Sequence, residues 1–205
     1  MKIRNQLVSG MIISILVLMA MFTMVSCNST GDGVEGTSVS IGRDGIIQSQ
    51  IEEGFGESYY DKDELQQAIL AQAAAYNNKT GNSSISVEKV EMKNDVVVVL
   101  MTYASADDYA SFNKSVFYNG NAQDAINEGY ELNVVLSGVK NAQETVGKAD
   151  ILALEDAALL ITDISDQIVL DGTALYVSDN VTVSNGGKAV LCTEDNEGLA
   201  YIIYK

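Results

Sequence analysis

The stretch ISVEKVEMKNDVVVVLMTY at residues 85–103 is the most decisive for the fold, because it predicts two strands joined by a tight turn. Residues 85–92 and 96–103 are rich in β-branched and apolar side chains, and the Lys-Asn-Asp sequence at 93–95 is typical of a hairpin turn. The run VVVVL at residues 96–100 is apolar at successive positions. We therefore expect this strand to be central and covered on both faces of its sheet.

A hairpin and a helix are predicted before this stretch. Residues 38–41 and 46–51 flank an Asp-Gly pair, which favours the positive dihedrals of tight turns. Asp61 is a suitable helix N-cap, apolar residues then recur at helical spacing, and Gly81 follows. We expect one longer helix over about residues 61–77.

Two short helices and a series of strands are predicted after residue 103. Ser105 with Asp108, and Asn121 with Asp124, are spaced as capping pairs for the helices. Strands are predicted at residues 132–136, 158–162, 168–170, 174–177, 181–183, 189–193 and 199–204. Because short turns join successive strands, the predicted class is α+β, with mostly antiparallel sheets, one longer helix and two short helices.

The first 27 residues have the pattern of an export signal. Lys2 and Arg4 precede an apolar run at residues 7–25, which ends in Ser26-Cys27. The sequence MVSC at this point resembles the bacterial lipobox, with Met where Leu is usual. The resemblance implies cleavage between Ser26 and Cys27, and attachment of acyl chains such as palmitate to Cys27.

Two alternatives exist for this segment: an uncleaved membrane span, since 19 apolar-rich residues can cross a bilayer, and a cysteine that lies near an ordinary cleavage site by chance. The lipoprotein and membrane-span interpretations share one topology, because the basic residues keep the N-terminus inside. We expect a protein of the cell membrane that is lipid-anchored and faces the extracytoplasmic side. The predicted organisation is a signal peptide at 1–26, a lipidated cysteine and flexible tether at 27–36, and a single domain at 37–205; the alternative is two subdomains divided near residues 130–150.

Charge and composition exclude several kinds of function. After Cys27 the chain carries 28 acidic and ten basic residues, a net charge of −18, so nucleic acid is not an expected partner. The chain has no histidine, which excludes Ser-His-Asp hydrolases and histidine-ligated metal sites. Cys192 lies in an apolar strand and is expected to be a buried, unreactive thiol. No catalytic residue, metal site or cofactor is predicted.

One acidic and aromatic cluster is the candidate ligand-binding site. Glu52, Glu53, Tyr59, Tyr60 and Asp61 lie where a strand passes through a glycine-bearing loop into the predicted helix. Two of the carboxylates could act as acid and base on a glycosidic bond if they opposed each other. The alternative is structural: Asp61 caps the helix, one tyrosine packs beneath it and the other side chains are solvated.

Two weaker patterns are compatible with a calcium site and with a sugar-binding surface. Calcium ligands are conceivable at Asp61, Asp63 and Glu64, or at Asp163 and Asp166, although neither segment matches an EF-hand loop. The chain has ten tyrosines and no tryptophan, and exposed tyrosines could stack on sugar rings. Tyr76, Tyr109 and Tyr176 fall on apolar faces and are expected in the core.

Several short sequences together resemble a family of lipoproteins from anaerobic Firmicutes such as gut clostridia. They are Asp44-Gly45, Glu52-Glu53-Gly54-Phe55, Tyr59-Tyr60-Asp61, Glu64-Leu65, Tyr76-Asn77, Tyr103, Asp108-Tyr109, Phe112-Asn113, Ala174-Leu175-Tyr176-Val177-Ser178 and Tyr201-Ile202-Ile203-Tyr204-Lys205. The resemblance implies the same anchored location and no particular activity.

The expected function is a non-catalytic binding or interaction module at the cell envelope, with a glycan, a cell-wall fragment or a protein as ligand. A carboxylate-dependent glycan hydrolase is the first alternative. A structural or assembly subunit of a membrane complex is the second.

Overall fold

The computed structural model describes residues 36–192 and 198–205. The predicted signal peptide, Ser26, Cys27 and the tether up to residue 35 lie outside the described residues, as does Thr193 at the end of a predicted strand. In the described part, the fold is α+β with two sheets and four helices. The predicted fold class is confirmed.

The four helices are α1 (Lys62–Thr80), α2 (Ala106–Asn113), α3 (Ala122–Asn127) and α4 (Lys148–Ala153). The strands of the first half are β1 (Ser38–Ile41), β2 (Ile47–Gly54), β3 (Ile85–Lys93), β4 (Val96–Tyr103), β5 (Phe117–Gly120), β6 (Leu136–Gly138) and β7 (Thr145–Val146). Those of the second half are β8 (Ala158–Thr162), β9 (Gln167–Val169), β10 (Ala174–Val177), β11 (Val181–Ser184), β12 (Ala189–Cys192) and β13 (Ala200–Tyr204).

The strands form two sheets. Sheet A has seven strands in the order β11-β12-β9-β1-β2-β4-β3, and sheet B has six in the order β5-β8-β13-β10-β6-β7. Among the described strands, all pairings are antiparallel except that of β1 with β9, which is parallel and places Val39 opposite Ile168. Sheet A therefore joins a hairpin from the start of the domain to strands from its end.

The domain is layered, and sheet B lies in the middle. One face of sheet B contributes Leu160 and Ile202 to a buried cluster with Val99 and Tyr103 of sheet A. The other face contributes Leu159, Ile161 and Ile203 to a second cluster, with Ala125 of α3 and Ile151 of α4. Leu65, Ile69, Ala73 and Tyr76 place α1 against the first cluster, on the same face of sheet A as sheet B.

Local sequence signals account for the turns and caps. Gly45 has a φ of 80° and its N–H donates to Gly42, which closes the β1–β2 hairpin. Asn94 and Asp95 both have positive φ in the β3–β4 turn. Asp61 accepts from the N–H groups of Asp63 and Glu64, and Gly81 ends α1 with a φ of 73°. Both predicted hairpins and the long helix are confirmed, and the helix continues three residues beyond Asn77.

The prediction for residues 96–100 is wrong in one respect. β4 is an internal strand, paired with β2 and β3. Its burial alternates, however: Val97 and Val99 are buried, whereas Val96, Val98 and Leu100 are only half-buried. Sheet B and α1 pack on one face of β4, and its other face lacks equivalent cover in the described part of the chain.

Four other elements differ from expectation. Residues 132–135 are not a strand, and β6 begins only at Leu136; Leu132 is fully buried as part of a loop, so its apolar character reflects packing and not strand pairing. The short strands β5 and β7 were not predicted. Helix α4 was also not predicted, because its N-cap is Gly147, which has no side chain to signal a cap. The side chain of Asp150 accepts the N–H of Gly147 instead.

Candidate functional site

The loop between β2 and α1 is held against the β3–β4 turn. The N–H of Phe55 donates to the carbonyl oxygen of Asp95 at 2.6 Å. A Cβ atom at Gly56 would lie 2.9 Å from that of Asp95, so this close approach requires glycine. The loop is thus fixed at both ends, by the turn contact and by the Asp61 cap of α1.

Three aromatic rings meet in this loop. Phe55 and Tyr60 stack with ring centroids 4.6 Å apart and planes 15° apart. Tyr59 contacts Tyr60 edge-on at 4.7 Å. The N–H of Tyr60 donates to the carbonyl oxygen of Glu57, which places Tyr59 in a tight turn. Tyr59 is 72% exposed, so a held aromatic ring is presented to solvent.

Two of the predicted site residues have structural partners. One carboxylate oxygen of Glu52 accepts the N–H of Gly36 and the other accepts from the side-chain amide of Gln50. Asp61 caps α1. Glu52 therefore binds the backbone of the residues that lead into β1. Asp61 is the N-cap of α1, which is the structural role that the sequence offered as the alternative to ligand binding.

Glu53 has a different environment. Strand alternation places it on the inner face of sheet A with Ile47 and Ser49, at the end of β2. Partial burial raises the pKa of the Glu53 carboxyl, and the negative charge of Asp166 raises it further. The carboxylate that influences Glu53 thus comes from the β8–β9 connection, and no local pattern in the sequence joins these two segments.

A second feature, an open cavity of about 490 Å³, was missed by sequence reasoning. It lies among the β1–β2 turn, the β4–α2 loop, β5 and α3, and its lining includes Asp44, Ser105, Asp107, Tyr118, Asn119, Asp124, Asn127 and Glu128. Burial raises the pKa of Tyr118 to about 12, with smaller contributions from Glu128 and Asp124. Ser105 and Asp124 were recognised only as capping residues, because nothing in the sequence brings these four segments together.

The remaining tyrosines are mainly structural. Tyr109 is buried, and its ring contacts Tyr103 edge-on and Phe117 at a tilt. Tyr76 is half-buried and donates to Asp108 at 3.0 Å. Tyr176 packs on the second core cluster and donates to Glu144 at 2.6 Å. The expectation that these three belong to the core is confirmed for Tyr109, while the other two lie at its margin.

The acidic segments that were considered for calcium do not form an assembled site. Asp163 accepts the N–H of Val116 at 2.8 Å, which joins the β8–β9 connection to β5. Within residues 36–192 and 198–205, no three side chains of the metal-binding types come together. Cys192 is buried as predicted, and burial raises the pKa of its thiol to about 11.

The helices of the described residues are all too short or too polar to span a bilayer. No protein-family model, no curated protein and no solved structure matches the chain.

Proposed function

We propose that this protein is a membrane-anchored extracytoplasmic lipoprotein whose α+β domain is a non-catalytic binding module at the cell envelope. The observation that supports binding is the exposed ring of Tyr59, held by Tyr60 and Phe55 in a loop that is fixed at both ends. An aromatic ring that is held in place before binding contacts a ligand at a low entropic cost. The ligand class that fits such a ring is a sugar from a glycan or a cell-wall fragment.

The anchor is tested separately from the ligand. Cells that express the full chain are grown with a labelled fatty acid, beside cells that express Cys27→Ser. We expect label in the unaltered protein, and an unlabelled, unprocessed precursor in the variant. Equal maturation of the two proteins would contradict the lipid anchor without bearing on the ligand.

Ligand binding is tested by thermal unfolding of the full chain in detergent, with a panel of oligosaccharides and cell-wall fragments. A ligand at 100 times its dissociation constant adds about 2.7 kcal/mol to the free energy of unfolding. We expect Tyr59→Ala to abolish the shift and Tyr59→Phe to retain it. Val135→Ala is the matched control, because Val135 is 68% exposed and lies outside the loop. A shift that survives Tyr59→Ala would place binding elsewhere.

The second candidate is a carboxylate-dependent glycan hydrolase. It is favoured by the raised pKa of the Glu53 carboxyl, which burial and the negative charge of Asp166 produce, because a raised pKa favours the protonated form that a general acid requires. Glu53→Gln distinguishes the two functions. A hydrolase would cleave a cell-wall glycan and lose that turnover in Glu53→Gln, whereas a binding module would show a thermal shift with the glycan and no turnover in either protein.

A further inference from the structure

The outer face of sheet A, opposite sheet B, has little charge. Across β11, β12, β9 and β1, the outward positions are serine, threonine, glutamine, alanine, valine or leucine. The half-buried Val96, Val98 and Leu100 of β4 form an apolar row on this face, and Leu191 of β12 is 44% exposed on it.

The few charges on the outer face nearly cancel. They are Lys89 and Lys93 with Glu52, Glu91 and the adjoining Glu88 on β2 and β3, and Lys89 forms an ion pair with Glu91. The rest of the chain after Cys27 carries 25 acidic and eight basic residues. The outer face is therefore close to neutral on a strongly acidic domain.

The chain enters the domain at this same face. Gln50 and Glu52 lie on the outer side of β2, and they hold Gly36 by hydrogen bonds to its carbonyl oxygen and its N–H. Gly36 is nine positions after Cys27, and a fully extended chain of that length spans about 30 Å. A lipid attached to Cys27 would keep the domain within that distance of the bilayer.

We infer that the outer face of sheet A is the surface turned toward the lipid bilayer. This inference rests on the proposed lipid anchor. An anionic bilayer repels the negative charge of the domain over about a Debye length, 8–10 Å, so repulsion is least when the near-neutral face is the closest one. In this orientation the apolar row of β4 contacts the interfacial region of the bilayer. Gly36, where the tether joins the domain, then lies on the side that faces the lipid anchor.

The test uses the full lipidated chain in vesicles of phosphatidylcholine and phosphatidylglycerol, in a Cys192→Ala background. One fluorescent label is attached at Gln48→Cys on the outer face, or at Gln123→Cys on α3, since both positions are exposed. Nitroxide lipids labelled at the headgroup quench fluorophores near the membrane. We expect at least twofold stronger quenching at position 48 than at position 123. Equal quenching, or stronger quenching at position 123, would overturn the inference.

Charge reversal provides the matched control. Lys89→Glu with Lys93→Glu should remove most of the quenching difference, because it makes the outer face acidic. Lys140→Glu with Lys148→Glu makes the same change in net charge at exposed positions outside sheet A, and should leave the difference intact. An identical response of the two double variants would overturn the role of the outer face. If the unaltered chain fails to sediment with vesicles, the anchor itself is refuted and the orientation with it; sedimentation with equal quenching refutes the orientation alone.

Discussion

Sheets A and B both contain strands that are apolar at nearly every position, yet among the described residues only sheet B is buried on both faces. In sheet B, β13 is buried at every position and β8 at all but its first. In sheet A, β4 alternates between buried and half-buried residues. The difference comes from the second core cluster, where α3, α4 and Leu132 cover sheet B from the far side. An apolar strand therefore does not by itself show that both of its faces are covered within the domain.

The sharpest test of this comparison is one substitution made at two places. Leu160 is fully buried in sheet B, and Leu160→Ala should lower the free energy of unfolding by about 2–5 kcal/mol. Leu100 is half-buried on the outer face of sheet A, and Leu100→Ala should cost only about 1 kcal/mol because less apolar surface is lost. Urea unfolding measures both. Equal losses would show that the outer face is as well covered as the core.

A smaller loss of stability is expected from changes at the N-terminus of α1, the helix that packs beside sheet B on the inner face of sheet A. Asp61→Ala removes the side-chain acceptor for two N–H groups of α1 and should cost about 1 kcal/mol. Asp61→Asn retains a capping oxygen and should be close to neutral. Urea unfolding of the pair distinguishes a capping role from a need for negative charge, since a charge requirement would make both variants equally unstable.

The smallest effect on stability is expected at Glu53, which lies at the polar end of the inner face of sheet A. The pKa of Glu53 is raised by burial, so the folded protein holds this proton to higher pH than the unfolded chain does. The contribution of Glu53 to stability is therefore most favourable below the usual carboxyl pKa of 4.5 and declines as the pH rises through the raised value. Glu53→Gln should remove that decline.

The measurement is the free energy of unfolding of the unaltered protein and of Glu53→Gln at several pH values between 4 and 7. The difference between them should shift in favour of the variant as the pH rises. A constant difference would contradict the raised pKa.

The sequence was sufficient for several features that depend only on neighbouring residues. The turn at Asn94 and Asp95, the cap at Asp61 and the stop at Gly81 were all recognisable, because each needs only a few adjacent side chains. The same is true of the loop that carries Tyr59. Its exposure could not be predicted, since that depends on Tyr60 stacking on Phe55.

Features that depend on distant segments were not predictable. The effect of Asp166 on Glu53, and the cavity between the β1–β2 turn and α3, arise from parts of the chain that only the fold brings together. Residues 132–135 are predicted as a strand but form a loop, although Leu132 is fully buried. An apolar residue in the core does not indicate whether its backbone pairs with another strand.

The parallel pairing of β1 with β9 sets an order for folding. Each of the hairpins β1–β2 and β3–β4 can form from local contacts, but β1 gains its second neighbour only when residues 167–169 arrive. A chain that is synthesised from its N-terminus therefore holds an open strand edge until most of its length has emerged. Sheet B is completed later still, because β13 at residues 200–204 lies between β8 and β10 and follows every strand of sheet A in the chain.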